Sequence, residues 1–298
     1  MSAIAQTPGG SPLAPITGRR KVTDVVMRGL LAVGMLIALV PLLLVVYYLI
    51  KKGIGAWSWD FFTTDPTGNF LGDQGGVKSA LLGTIEMVLL ASVIAIPIGW
   101  GVGLYLVEFG RTGRFASTVR YFIDVMTGVP SIVFGLFIYV TLVIGGWGGS
   151  SFAGWKGSVA LALLMLPVVT RSAEVVLLLV PDPLREAALA LGTPRWRVTM
   201  KVVLPTALPG LVTGSLLAVA RAAGETAPLL FTATIVNGTT FNLGERMNSL
   251  PVQIYTDVGS PNDQLVQRAW GSALALVTLI LLTTLVARVI SRRSRLQP

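Results

Sequence analysis

Long uncharged apolar blocks alternate along the chain with short polar or basic segments. Residues 29–50, 87–107, 202–220 and 269–287 contain no Asp, Glu, Lys or Arg. Each is close to the ~20 helical residues that cross a hydrocarbon core. Two further blocks are less uniform. Residues 125–155 are uncharged, but the final GGWGGSSFAGW has the composition of a loop, which places the helix at about 121–144. Residues 158–180 are apolar except for Arg171 and Glu174. The pattern predicts an all-α integral membrane protein with six transmembrane helices, at about 23–50, 79–107, 121–144, 158–180, 204–236 and 269–291. Pro41 is expected to kink the first, and Pro130 and Gly135 interrupt the third.

Composition strengthens this reading. Of 298 residues, 53% are hydrophobic and 12% charged, against about 25% charged in soluble domains. A soluble core would have to bury four membrane-length blocks. Six spans put both termini on one side. With the N-terminus inside, fifteen Lys and Arg residues, Arg120 and Arg185 among them, lie on the cytoplasmic side. Six lie outside, including Lys156 and Arg268, and Arg171 and Arg221 lie within spans. The positive-inside bias therefore predicts that both ends are cytoplasmic. It also accounts for the formal charge of +9 without nucleic acid, since no basic run is interleaved with stacking aromatics.

Residues 1–22 read as a disordered cytoplasmic tail and 292–298 as a short basic one. Arg19-Arg20 resembles a twin-arginine signal. The block after it is long enough to span and closes on no A-x-A-like site, so cleavage is not expected. Trp57, Trp59, Phe61 and Phe62, in an outer segment, suit anchoring at the membrane interface. The chain has no Cys and no His. That excludes disulfides and thiolate chemistry, and removes the commonest general base and transition-metal ligand. No metal site is expected.

The insert 181–205 lies on the cytoplasmic side. Asp182-Pro183 opens a short helix, and Leu184, Ala187, Ala188 and Leu191 fall on one apolar face of it. Gly192 stops it, and Thr193-Pro194 opens a second helix. These features fit either an interfacial connector or a docking knob for a partner. The spacing of Glu186-Ala187-Ala188, Gly192, Val202, Leu204 and Pro205 resembles the "EAA" loop of bacterial ATP-binding-cassette (ABC) importer permeases, with Val202 in place of Ile. The resemblance implies the type I permease fold, with Glu186, Ala187, Ala188, Gly192, Leu204 and Pro205 coupling the chain to an ATPase. No G-x-x-x-x-G-K-[ST] loop is present in this sequence. ATP and Mg would therefore sit on partner ATPase subunits, with no cofactor on this chain.

Ionisable residues inside a membrane are costly and are candidates for function. Arg171 and Glu174 are i,i+3, and Arg221 and Glu225 are i,i+4, so each pair shares a helical face. Either pair fits a structural salt bridge. Counting from Pro209 to Ile235 as one helix puts Arg221 near mid-membrane. Gly224 and Pro228 flank Glu225-Thr226 and favour unwinding, and a broken helix beside a deep arginine suits an anion.

Residues 221–233, RAAGETAPLLFTA, resemble the R-A-x-G-E-T-A-P-L signature of phosphate importer permeases, of the A-type rather than the C-type. Residues 128–137 and 249–255 resemble two further segments of that family. The resemblance implies that Arg221, Glu225 and Thr226 line a substrate path, supported by Arg171. It also implies a bacterial plasma-membrane complex with a second, related permease, an ATPase dimer and an extracytoplasmic phosphate-binding protein. A permease for sulfate or molybdate, a proton-coupled transporter using Glu86, Glu174 or Glu225, and a lipid-phosphate enzyme are the alternatives.

Overall fold

The computed structural model describes residues 18–68, 75–110, 113–146 and 151–293. Most of the expected N-terminal tail, and residues 294–298, lie outside them. Among the described residues the regular structure is helical, apart from one isolated bridge between Pro66 and Gly75. The chain divides into two units, residues 1–48 and 49–298.

The first unit holds most of helix α1, Gly18–Gly53, which runs through Pro41. Residues 18–22, expected in the tail, are already helical. Leu31, Met35, Ile37 and Val45 are exposed, on a helix that is apolar all round.

In the second unit, α2 (Trp59–Thr63) is capped by Ser58, whose hydroxyl accepts from the Phe61 N–H at 3.1 Å. Part of the aromatic cluster packs inside the unit. Phe61 is buried with Val77, Ala80 and Leu250, and the Trp57 indole donates to the Gly271 carbonyl; Trp59 is exposed. Helix α3 (Lys78–Leu104) ends in a π turn, Tyr105–Phe109.

The third expected span is two helices, α4 (Arg114–Gly128) and α5 (Ser131–Ile138), the latter prolonged by a π turn, Tyr139–Ile144. They are bent by 102°. Pro130 forces the break: it disfavours helix at the residue before it, and Val129 is extended at φ −74°, ψ 130°.

Helix α6 (Gly154–Leu178) is the centre of the unit, packing on α3, α4, α5, α9 and α10. Small residues bring the backbones close. A Cβ on Gly99 or Gly103 of α3 would overlap Val169 or Ala173 of α6, and Gly157 of α6 lies under Leu229 and Ala233. Close approach between small residues is how helices gain packing energy in lipid, where no hydrophobic drive separates them from the solvent.

After the short helices α7 (Asp182–Ala190) and α8 (Arg195–Val198) comes a π turn, Thr199–Val203, leading into α9 (Leu204–Ala223). The span is continuous from Arg195 to Ala223 rather than running over 204–236. Helicity resumes only as α10 (Ala227–Thr232). Pro228 has no N–H to continue the ladder. Helix α11 (Leu250–Val258) precedes α12 (Asp263–Arg293). Among the described residues, five helices are long and apolar enough to cross a membrane, or six if α4 and α5 form one bent span.

The segment between α10 and α12, expected to be a polar outside loop, contains a buried network. Arg268 of α12 binds both carboxylate oxygens of Asp257, at 2.7 and 2.9 Å. Gln253 donates to the same carboxylate and accepts from Asn248. Thr84 of α3 accepts from the Leu250 N–H at 2.8 Å, tying down the start of α11. Lys156, expected outside, is fully buried and donates to the Leu142 carbonyl at 3.0 Å.

Candidate functional site

The break after α9 carries Arg221, Glu225 and Thr226. The Gly224 N–H donates to Arg221 O and the Glu225 N–H to Ala222 O, which closes the helix as a turn. Arg221 Nε lies 3.8 Å from Glu225 Oε1, too far for a hydrogen bond, and the arginine side chain is 53% exposed. The pair is therefore a loose one, and among the described residues no hydrogen bond occupies the guanidinium donors, an arrangement with the chemistry to grip an anion. Thr226 is half-buried, and its hydroxyl has no partner among the described residues.

Packing gives the depth of Arg221, because the helix assumed to reach Ile235 ends at Ala223. Gly210 abuts Val176 and Gly214 abuts Ser172, an antiparallel register of α9 on α6. Carried seven residues further, it sets Arg221 level with Met165, the middle of α6, about 16 Å from its N-terminal end at 1.5 Å per residue. The broken segment is seated by α5: a Cβ on Gly135 would lie 2.6 Å from Pro228 Cα. Thr232 O accepts from the Ala153 N–H at the other end of α10. The segments 128–137 and 221–233 thus meet backbone to backbone.

Arg171 belongs to a different cluster. Its Nη1 is 2.8 Å from Glu174 Oε2, and Arg120 Nε is 2.6 Å from Glu174 Oε1. Arg120 also donates to the Leu106 carbonyl in the π turn that ends α3. Sequence reasoning put Arg120 in a cytoplasmic loop and treated Arg171–Glu174 as a self-contained pair. The buried carboxylate is instead shared by two guanidiniums, which joins α4 to α6 and leaves an excess positive charge. Arg171 is 54% exposed, and its Cα lies about 9 Å deeper along α6 than the level of Arg221. No hydrogen bond or ion pair connects the two clusters among the described residues.

The insert forms two short helices about Gly192, whose φ of +77° suits glycine. Pro183 occupies the first turn of α7. The cap position falls on Pro181 rather than on Asp182, whose carboxylate accepts from Arg185 Nη1 at 3.0 Å. The expected apolar face does not turn inward as a whole. Ala188 packs on the core, while Glu186 and Ala187 are exposed, as are Leu184 and Leu191. Val202 and Leu204 join the same core against Val107, Ala173 and Leu177. Pro205, which cannot donate to the ladder, lies one residue past the π turn, a local unwinding closed by the Leu204 N–H on Thr199 O.

The residue of α7 that is buried is Arg185, which sequence reasoning missed because its buried acidic partner, Glu108, lies 77 positions away. A cavity of about 350 Å³ under the loop is lined by Arg185, Glu108, Asp182, Glu186, Arg195 and Leu189, among others. Among the described residues no group of three or more acidic side chains is placed to hold a metal ion.

Residues 95–296 match the family described as binding-protein-dependent transport system inner membrane component. The chain belongs to this permease family. Among the permease's relatives, the phosphate transport system permease protein PstA of Haemophilus influenzae is 43% identical over 264 residues, covering 88% of this chain and 91% of the relative. PstA of Yersinia pestis is 41% identical over 262 residues, 88% of this chain and 87% of the relative. PstA 1 of Mycobacterium tuberculosis is 39% identical over 290 residues, 95% of this chain and 93% of the relative. A bacterial ABC transporter involved in importing alginate shares the fold with a TM-score of 0.63 at 14% identity, covering 92% of this permease and 99% of that chain. A methionine ABC transporter, MetNI, shares it at 0.58 and 24% identity, covering 74% and 95%. The all-helical architecture is that of ABC importer permeases.

Proposed function

We propose that this permease carries inorganic phosphate into the cytoplasm as a membrane subunit of an ABC importer. The observation that carries the reading is the loosely paired, half-exposed Arg221 at the mid-depth helix break, in a chain whose relatives at about 40% identity are phosphate permeases. A guanidinium grips phosphate oxygens bidentately. Thr226 adds a hydroxyl, and Glu225 tempers the charge so that the anion can leave again.

In this reading the chain pairs with a second, related permease and receives phosphate from an extracytoplasmic binding protein. Two ATPase subunits supply ATP and Mg, one of them docked on the loop around Glu186, Ala187, Ala188 and Gly192. The chain performs no covalent chemistry of its own. It lies in a bacterial plasma membrane with both termini cytoplasmic, and access alternates as the ATPase dimer closes and hydrolyses.

The test is radiolabelled phosphate uptake by the reconstituted complex, with sulfate as competitor. The expected result is ATP-dependent uptake insensitive to sulfate. Effective competition by sulfate would make the substrate a different oxyanion. Uptake driven by a proton gradient without ATP would overturn the ABC reading.

A further inference from the structure

From its position at the root of the cytoplasmic loop we infer that Arg185 is the positioning residue that carries the motion of α7 into α3 and α6. The inference rests on the ABC reading above and adds a second route to the continuous helix from α8 into α9.

The need for such a residue follows from how α7 is held. It is a short helix whose leucines face outward, and it packs on α8 and the π turn that leads into α9. Apolar burial alone joins it weakly to the rest of the bundle. Arg185 supplies the missing joint. Its Nη2 donates to Leu177 O at 2.9 Å and its Nη1 to Val180 O at 2.5 Å. Leu177 lies in the last turn of α6 and Val180 just past its C-cap, Leu179. The Leu177 carbonyl also accepts from the Val180 N–H, so Arg185 adds a second bond there, at a helix end where carbonyls outnumber intrahelical donors. A cation there also meets the negative end of the helix dipole. On a third side Arg185 Nε donates to Glu108 Oε1 at 3.1 Å, and Nη2 lies 3.0 Å from the same oxygen. Glu108 belongs to the π turn that ends α3. Both side chains are about 90% buried, at 10% and 11% exposure.

One rigid, planar group therefore bonds three elements at once: α7, the end of α6 and the end of α3. The guanidinium fork fixes direction as well as distance, which an ammonium on a flexible stem does not. Displacing α7 relative to α6 or α3 would strand a buried charge, so the three move together. Helices α3 and α6 are themselves locked at Gly99 and Gly103. A pull on α7 is thus delivered to the centre of the bundle.

The test uses the reconstituted complex and measures phosphate taken up per ATP hydrolysed, with co-purified ATPase and thermal midpoint as controls. Arg185→Lys keeps the charge beside Glu108 but cannot span the three sets of acceptors. It should retain ATPase binding and hydrolysis within about twofold, while phosphate moved per ATP falls about tenfold. Glu108→Gln, which leaves the α6 carbonyl bonds in place, should give a smaller loss in the same ratio, and serves if the arginine variant fails to assemble. Uptake and hydrolysis falling in parallel would make Arg185 a docking or folding residue and overturn the inference. An unchanged ratio in both variants would overturn it as well. Failure of the parent complex to couple ATP to uptake would instead refute the proposed function.

Discussion

Gly135 is the most direct test of how the candidate anion site is built. A Cβ at this position would lie 2.6 Å from Pro228 Cα and 3.3 Å from that residue's N and O. Every opposing atom is backbone, so no rotamer change absorbs the clash. Restoring ordinary contact requires α5 and α10 to part by about 1 Å, an overpacking that costs about 1–3 kcal/mol. The strain falls unevenly. Helix α10 is fixed at its far end by the Ala153 N–H on Thr232 O and by Ala233 against Gly157, and along its length by Leu229 against the same glycine. Its near end, beside Glu225 and Thr226, has to give. A displacement of about 1 Å in a positioned site is worth up to about 100-fold in rate. Gly135→Ala should therefore lower phosphate uptake about 10- to 100-fold and lower substrate-stimulated hydrolysis with it, with a modest fall in thermal midpoint. Gly101→Ala is the matched control. It sits in helix α3 with nothing within 4 Å of its Cβ, and should gain about 0.4–1 kcal/mol from the stiffer unfolded chain at unchanged uptake. Parental uptake and stability in Gly135→Ala would refute the claim that this contact positions the site.

Three further outcomes follow from the same contacts. Arg221→Gln removes the charge-assisted donors and should lower uptake about 10- to 100-fold, at 1.5–3 kcal/mol for bonds to a charged group, with normal membrane insertion; normal uptake by a well-expressed variant would remove Arg221 from the path. Gly192→Val forces a branched side chain to φ +77°, and should reduce co-purification of the ATPase or its stimulated hydrolysis. Asp257→Asn leaves Arg268 buried without its counter-charge, a loss of about 3–5 kcal/mol that should lower the thermal midpoint in detergent, whereas Asp24→Asn, at an exposed pair, should leave it unchanged.

The parts of the fold that were legible in the sequence are those set by local physics. Uncharged length marked the spans, and Pro and Gly marked the loop helices around Gly192 and the bend at Pro130. The boundary of the fifth span was not legible, because residues 227–236 are as apolar as a span while folding back onto α5 and α6. Hydropathy does not distinguish an apolar segment facing lipid from one facing protein. The charge clusters were hidden for another reason. Arg120 meets Glu174 across 54 positions and Arg185 meets Glu108 across 77, and a rule that sorts basic residues by side of the membrane treats both as solvated. Arg171–Glu174 and Arg221–Glu225 were visible only because their members are a helical turn apart, and even there the third member, Arg120, was missed.

The two kinds of contact divide the labour within the bundle. Where glycines bring backbones together, at Gly99 and Gly103 between α3 and α6 and at Gly210 and Gly214 between α6 and α9, sliding one helix past the other meets immediate overlap. Close-packed cores transmit displacement rather than absorb it. In the proposed function, a load on the loop 181–205 would reach Arg221 along the helix running from Arg195 to Ala223, and would reach the same block through Arg185 at the ends of α3 and α6. The routes converge on one body, so cutting one of them weakens coupling without dismantling the site. The variants should then differ in kind: Arg185→Lys changes phosphate moved per ATP at near-normal hydrolysis, whereas Gly135→Ala lowers uptake and stimulated hydrolysis together. If both variants changed the ratio equally, the separation of the coupling joint from the anion site would be wrong.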